Sequence, residues 1–389
     1  MRPQSFAGSI GASVGKPAVK RYDVAVIGAG VFGSWTAWHL ARAGKSVLLA
    51  DAWGAAHSRA SSGGESRIIR MGYGADEIYT RMSMGSLAAW HELFRRAGQP
   101  LFHRTGVLWM AREDHPHNVD TLRVFAAAGV PHEVIPAAEL ARRYPQIRTS
   151  SSEIFGIFEP ESGALMARRA VAAVVDDAVR SGVEYTVQSV QWPDPQINAE
   201  TLVFACGPWL PKLFPDLLAS RIFITRQEVF FFAPPAGDRR FSPPDLPIWL
   251  DYTDARGPYG FPILENRGMK LAFDRHGTAF DPDAGDRHVS AESISAARGF
   301  LGERFPALRD ALLAESRVCQ YANTSNGDFL IDRHPDRADV WLVGGGSGHG
   351  FKHGPAVGEY VAAQVLGTAP AEPRFSLASK AETLRRTVW

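Results

Sequence analysis

The glycines of "GAGVFG" are the residues of this sequence whose spacing most directly implies chemistry. Gly28, Gly30 and Gly33 fit G-x-G-x-x-G. That pattern gives a tight turn, a backbone bare enough for a pyrophosphate to approach, and close packing of a helix on a strand. Asp51 closes the run "SVLLAD", where a carboxylate can take the hydroxyls of a ribose. Cys319 is one of 2 cysteines in 389 residues. It is either a nucleophile as its thiolate or a small buried hydrophobe, the reading given to Cys206 in "VFACGPW". Lys270 stands in "RGMKLAF", which alternates like a half-buried strand, and lysine is rarely buried without a purpose.

These residues need elements to hold them. Tyr22 to Ile27 is a short β-branched run suited to a strand buried on both faces. A helix follows the glycines and offers its N-terminal N–H groups to phosphate. Strand, turn, helix and strand ending in an acid together read as a dinucleotide site. The long polar loop "AWGAAHSRASSGGESRIIRMGYG" then replaces the prompt helix of a simple nicotinamide domain. "VWLVGGGSGHGFKHGPAVGEYVAAQVLG" repeats strand, glycine loop and helix, and can lay N–H groups against a second polar part of a cofactor. "AETLVFACGPWLPKLFP" adds a strand ending in a small-residue turn, with Trp209 beyond it. Three separated pieces thus form one nucleotide domain interrupted by others.

The totals narrow the class. A length of 389 suggests two or three folding units. Lys+Arg 42 against Asp+Glu 41 leaves a net charge of +1, which gives no electrostatic case for nucleic acid or an anionic membrane. The cysteine count favours a reducing compartment, no apolar run is long enough for a bilayer, and a cytoplasmic protein is the expectation. The first twenty residues lack the apolar segment of a secretory signal and read as a loose extension. No metal is expected: His349 and His353 have i, i+4 spacing but sit in a glycine loop. "EDHPHN" reads as a polar loop and "RRYPQIR" as a short basic turn.

The opening GAGVFG unit, "SRIIRMGYG", "YGFPILENRGMKLAF", "VCQY" and "GSGHGFKHG" resemble the monomeric sarcosine oxidase and N-methyltryptophan oxidase family of FAD-dependent amine oxidases. The similarity runs from about Tyr22 to beyond Leu366. It implies an α/β fold: a discontinuous Rossmann-like FAD domain (22–80, 156–215 and 318–370) and an antiparallel-sheet substrate domain (81–155 and 216–317) capping the flavin. Residues 371–389 would be a tail. It also implies that Cys319 bonds covalently to the 8α-methyl group of the flavin. Arg70 and Lys352 would bind a substrate carboxylate, and Tyr259 would reach the same group. Lys270 would promote reduction of O₂ near flavin N5, a fixed cation stabilising the developing superoxide. Ser66 and Arg67 would contact the flavin ring. Val31, Phe32, Ser62, Val190, Gly207, Trp209, Gly346, Gly348, Gly350 and Phe351 complete the implied cofactor contacts.

The resemblance thus implies an FAD oxidase of an amino-acid-like amine that uses O₂, gives H₂O₂ and acts as a monomer. A dehydrogenase of the same fold using an electron carrier, and a non-catalytic flavin-fold protein, are the alternatives. Two departures bear on the substrate. The family's "SHHGDTRIIRHAYG" is here "SSGGESRIIRMGYG", so Gly63 and Met71 replace histidines. Asp274 stands where those members have a histidine four residues after the catalytic lysine. An opened pocket beside Gly63 is therefore expected, with Asp274 partnered by Arg275, by Arg256 or by a donor on the substrate.

Overall fold

The computed structural model describes residues 20–112, 115–149 and 153–383. The loose extension expected at the N-terminus lies, up to residue 19, outside them. One sheet has six strands, in the order Leu330–His334, Arg337–Gly344, Ala199–Phe204, Tyr22–Ile27, Val47–Asp51, Glu184–Val187. The last five run parallel, and Leu330–His334 pairs antiparallel at the edge. Its central strand is apolar on both sides, with Ala25 and Val26 fully buried, because helices cover both faces of a parallel sheet. The helix Val31–Arg42 packs on the helix Gly354–Leu366. Gly354 and Gly358 make that contact possible. A Cβ at Gly358 would stand 2.5 Å from Trp35 Cβ, and one at Gly354 2.5 Å from Val31 Cγ2.

A second sheet has eight strands, in the order Leu312–Thr324, Ile222–Ala233, Met269–Phe273, Pro258–Phe261, Ile248–Asp251, Val107–Arg112, Ile154–Glu159, Glu133–Ile135. Its neighbours are antiparallel except Ile248–Asp251 beside Val107–Arg112. Phe230, Phe232 and Trp249 bury one face under the helix Ala291–Arg304. Arg304 closes a 2.6 Å ion pair with the fully buried Asp251. A three-stranded sheet of Arg67–Ile69, Gly163–Leu165 and Phe102–His103 lies between these parts in sequence.

Several boundaries differ from the sequence expectation. The helix Glu77–Ala97 runs through the expected break at 81 and packs on the helices Ala167–Arg180 and Gly354–Leu366, so it belongs with the nucleotide sheet. Ile154–Glu159 pairs in the eight-stranded sheet, which moves the break at 156 beyond Glu159. Leu312–Thr324 is one strand, so a break at 318 would cut it, and Cys319 belongs to the second sheet. The tail is anchored: Arg374 bonds Asp328 at 2.8 Å and Asp76 at 2.9 Å, and Phe375 is buried. His117 sits in the helix Pro116–Ala128, with proline at its first turn. Arg142 and Arg143 end the helix Ala137–Arg143. Cys206 lies just past its strand, where its thiol donates to Ile27 O at 3.3 Å.

Candidate active site

The first glycine loop is fixed from both sides. Gly28 has φ 104°, and a Cβ there would meet Ala205 O at 2.5 Å. The Asp51 carboxylate accepts from Ala29 N–H at 2.8 Å and Trp53 N–H at 3.0 Å. Ser62 Oγ accepts from Val31 N–H at 3.2 Å. Gly33 faces inward instead, where a Cβ would be 1.8 Å from Gly28 O. In the second loop Gly348 has φ 77° and lies so close to Tyr321 that a Cβ would be 2.6 Å from its ring. A Cβ at Gly350 would touch Phe32 Cζ at 2.8 Å, so the two loops meet at Phe32.

One cavity of about 540 Å³ is bordered by both loops. Gly28, Gly30, Val31, Phe32, Asp51, Ser62, Val190, Gly207 and Trp209 line it. So do Ser66, Arg67, Arg70, Tyr259, Lys270, Asp274, Cys319, Gly346, Gly348, Gly350, Phe351 and Lys352. Residues scattered over more than three hundred positions of the chain thus converge. Two helix N-termini behind glycine turns, with an acid at the end of the second parallel strand, fit a dinucleotide with its phosphates on bare backbone.

Of the basic residues that border the cavity, Lys270, Arg67, Arg70 and Lys352 donate to oxygens that carry no charge, whereas Arg317 pairs with Glu65 at 2.9 Å and Lys212 with Asp283 at 2.7 Å. Lys270 Nζ donates to Ser66 O at 3.0 Å and Ser66 Oγ at 3.3 Å, and stands 4.3 Å from the Phe261 ring. The register that pairs Lys270 with Phe261 sets that contact. Burial first, then the Arg67 cation, holds the Lys270 pKa well below its ordinary 10.5. Arg67 donates to Ser66 O at 2.8 Å and to Ser61 O, and its Nη2 is 3.8 Å from Cys319 Sγ. Arg70 donates to Gly72 O and lies between the rings of Tyr73 (4.5 Å) and Trp109 (4.7 Å). Burial opposes its charge, but Tyr252, Tyr73, Glu159 and Asp274 outweigh this and raise its pKa. Lys352 Nζ donates to Tyr73 Oη at 2.8 Å and His349 O at 3.1 Å. Among the described residues, Arg67, Arg70 and Lys270 form no salt bridge.

A second cluster is built of hydroxyls around one carboxylate. Tyr321 Oη donates to Asp274 Oδ1 at 2.9 Å and neighbours the Tyr259 hydroxyl. Burial, then Asp274, pushes the Tyr259 pKa up to about 12, and Tyr321 is raised further, so both remain neutral donors.

The expectations for the two departures change here. Gly63 does not open the pocket: it is not among the cavity residues, and a Cβ there would run into His57 O at 2.0 Å. Met71 is buried away from the cavity, its N–H bonded to Glu159 at 2.7 Å. The partner of Asp274 is Tyr321 rather than Arg275, which forms no salt bridge among the described residues, or Arg256, which is bound to Asp254 at 2.6 Å. His349 and His353 flank the Tyr73 hydroxyl. Tyr321, Tyr73 and Glu159 had no assigned role. Tyr321 was within reach, because Arg317, Cys319 and Tyr321 alternate onto one face of a strand and all line the cavity. Glu159 carried no signal: its contacts with Gly72 N–H (3.2 Å) and Trp109 Nε1 (2.7 Å) are purely tertiary.

Such a fold and cavity define a flavin- or nicotinamide-type dinucleotide enzyme, and the comparisons decide between them. Residues 23–364 match the model of the FAD dependent oxidoreductase family. The monomeric sarcosine oxidase of Streptomyces avermitilis is 34% identical over 370 residues, 90% of this chain and 95% of that protein. The N-methyl-L-tryptophan oxidase of Salmonella newport is 28% identical over 90% of this chain and 96% of its own length. The solved structure of L-proline dehydrogenase from P. horikoshii shares the fold, with a TM-score of 0.77 at 20% identity over 92% of this chain and 97% of that one. The chain belongs to the FAD dependent oxidoreductase family; it is an FAD enzyme. No helix among the described residues is long and apolar enough to cross a membrane.

Proposed function

We propose that the protein, as a monomer, oxidises a small amine bearing a carboxylate, an amino acid or close relative, and passes the electrons to O₂, releasing H₂O₂. The observation that carries this reading is the convergence of Arg70, Lys270 and Lys352 on one cavity, with Arg70 and Lys270 held on neutral oxygens, which leaves the charge of those two available to an anion. The relatives named as oxidases of sarcosine and N-methyl-L-tryptophan support the amine. Arg70 supplies a planar fork for the carboxylate and Lys352 a compact second cation. Tyr259, neutral well above pH 7, donates its hydroxyl to the same group. FAD, when bound, supplies the hydride acceptor for the carbon beside the amine. The surrounding positive charge disfavours the ammonium form of the substrate and so favours the free amine that can react.

Lys270 serves the return half of the cycle, because O₂ becomes an anion on gaining its first electron and a nearby protonated lysine stabilises it. Its pKa is depressed, so the protonated share falls as pH rises, and flavin reoxidation slows over a range below pH 10.5. Lys270→Met should leave anaerobic flavin reduction by substrate within about tenfold of wild type. It should slow reoxidation by about 100-fold or more and flatten this pH profile. Stopped-flow mixing with O₂ measures both, and equal reoxidation rates would assign Lys270 to structure.

In this reading Cys319 also tethers FAD as an 8α-thioether. Its sulfur borders the cavity, 3.8 Å from Arg67 Nη2. With FAD bound, Cys319 would supply the sulfur that holds the ring system. After acid precipitation, flavin should stay with the wild-type pellet and leave it in Cys319→Ala. A yellow wild-type supernatant over a colourless pellet would refute the tether.

Asp274 sets the substrate class. Its carboxylate, steadied by one neutral tyrosine, accepts further donors, which a substrate hydroxyl, amide or second amine supplies. Sarcosine, lacking such a group, should be turned over weakly, and a bulkier amino acid with a polar or cationic group better. The check is kcat/KM across such a panel for wild type and Asp274→Asn. Sarcosine as the best substrate, or an unchanged order in the variant, sinks this assignment.

A further inference from the structure

We infer that Tyr73 is the positioning residue of the carboxylate clamp: its ring seats Arg70 and its hydroxyl fixes Lys352. This rests on the reading of Arg70 and Lys352 as that clamp. Tyr73 itself is buried and is not among the residues bordering the cavity, so it acts through the two cations. The Arg70 guanidinium lies 4.5 Å from the Tyr73 ring centroid, and Lys352 Nζ is 2.8 Å from the Tyr73 oxygen.

The hydroxyl is oriented by two imidazoles. His353 Nε2 is 2.8 Å away and His349 Nδ1 3.3 Å, while His349 Nε2 faces Gly327 O at 3.0 Å. With both rings neutral, one assignment satisfies all these contacts together. A carbonyl only accepts, so His349 carries its proton on Nε2 and presents Nδ1 as an acceptor. The single Tyr73 proton therefore points to His349 Nδ1, and the Tyr73 oxygen accepts from both His353 Nε2 and Lys352 Nζ. Burial, then the Lys352 and Arg70 cations, holds the His353 pKa well below its usual 6.5, which keeps that ring neutral. Trp90 Nε1 donates to Lys352 O at 3.0 Å and fixes the backbone of the same residue. The lysine is thus held by its backbone and by its head, and the arginine shares the same tyrosine.

The test is a double-variant cycle on the flavin-loaded enzyme, with propanoate as probe, propanamide as its uncharged counterpart, and binding read as the flavin difference absorbance. Tyr73→Phe keeps the ring under Arg70 and removes only the hydroxyl. It should weaken propanoate about tenfold, the size of one lost charged hydrogen bond, and leave propanamide within about twofold. In a Lys352→Met background the same change should have no further effect. Equal losses in both backgrounds, equal losses for both probes, or no loss at all would overturn the inference. If Lys352→Met alone leaves propanoate binding unchanged, the clamp reading fails and this one with it. If only Tyr73→Phe is silent, the clamp stands and this inference falls alone. Should Tyr73→Phe not fold, His349→Phe removes the acceptor that orients the hydroxyl and should cost about threefold for propanoate alone; no such loss would also overturn the inference.

Discussion

The active end of this molecule depends on one constraint: cations in a cavity must be stabilised without being neutralised. Leaving an ion unsolvated in a protein interior costs several kcal/mol, and a partner carboxylate would meet that cost but cancel the charge. Arg317 and Lys212 at the cavity's border are paired in that way, with Glu65 and Asp283, but for Arg67, Arg70, Lys270 and Lys352 the protein uses carbonyl and hydroxyl dipoles. Ser66 and Ser61 carbonyls hold Arg67, Ser66 also holds Lys270, Gly72 O holds Arg70, and Tyr73 with His349 O holds Lys352. Glu159 stands one step back, binding the backbone N–H groups of Met71 and Gly72 beside Arg70. Arg67 and Arg70 therefore keep their charge, and a preorganised cation beside the reacting groups favours anions and disfavours a protonated amine.

Those dipoles must sit on rigid backbone, and the two sheets provide it. Ser66 to Arg70 leaves the first nucleotide segment through a short strand paired to Gly163–Leu165. Lys270 lies in the strand Met269–Phe273 and Asp274 just past its end, while Cys319 and Tyr321 share a face of the sheet's long edge strand. Lys352 comes from the second glycine loop. The cavity closes only where all of these meet, and Gly348 admits the loop against Tyr321 because it has no side chain.

Much of this was legible in the sequence, for local reasons. The G-x-G-x-x-G turn, the burial of its strand and the repeated glycine loop are encoded within a few residues each. What was not legible depended on contacts between distant segments. The place of the helix Glu77–Ala97 beside Gly354–Leu366 is set by such contacts. Gly63 looked like a pocket opening because its backbone environment, against His57 O, exists only in three dimensions. Tyr73 drew no reading, since the partners that orient it lie nearly three hundred residues away.

The charge of the cavity is most directly tested by pairing substrates that differ only in a carboxylate. Oxygen uptake and peroxide release are followed for each amino acid turned over and for the amine left by removing its carboxyl group. The loss of two or more charge-assisted hydrogen bonds predicts kcat/KM lower by about 100-fold or more for the decarboxylated partner, with one peroxide per O₂ consumed. Equal kcat/KM for the two members of each pair would show that the cations do not select the substrate, and would contradict this account.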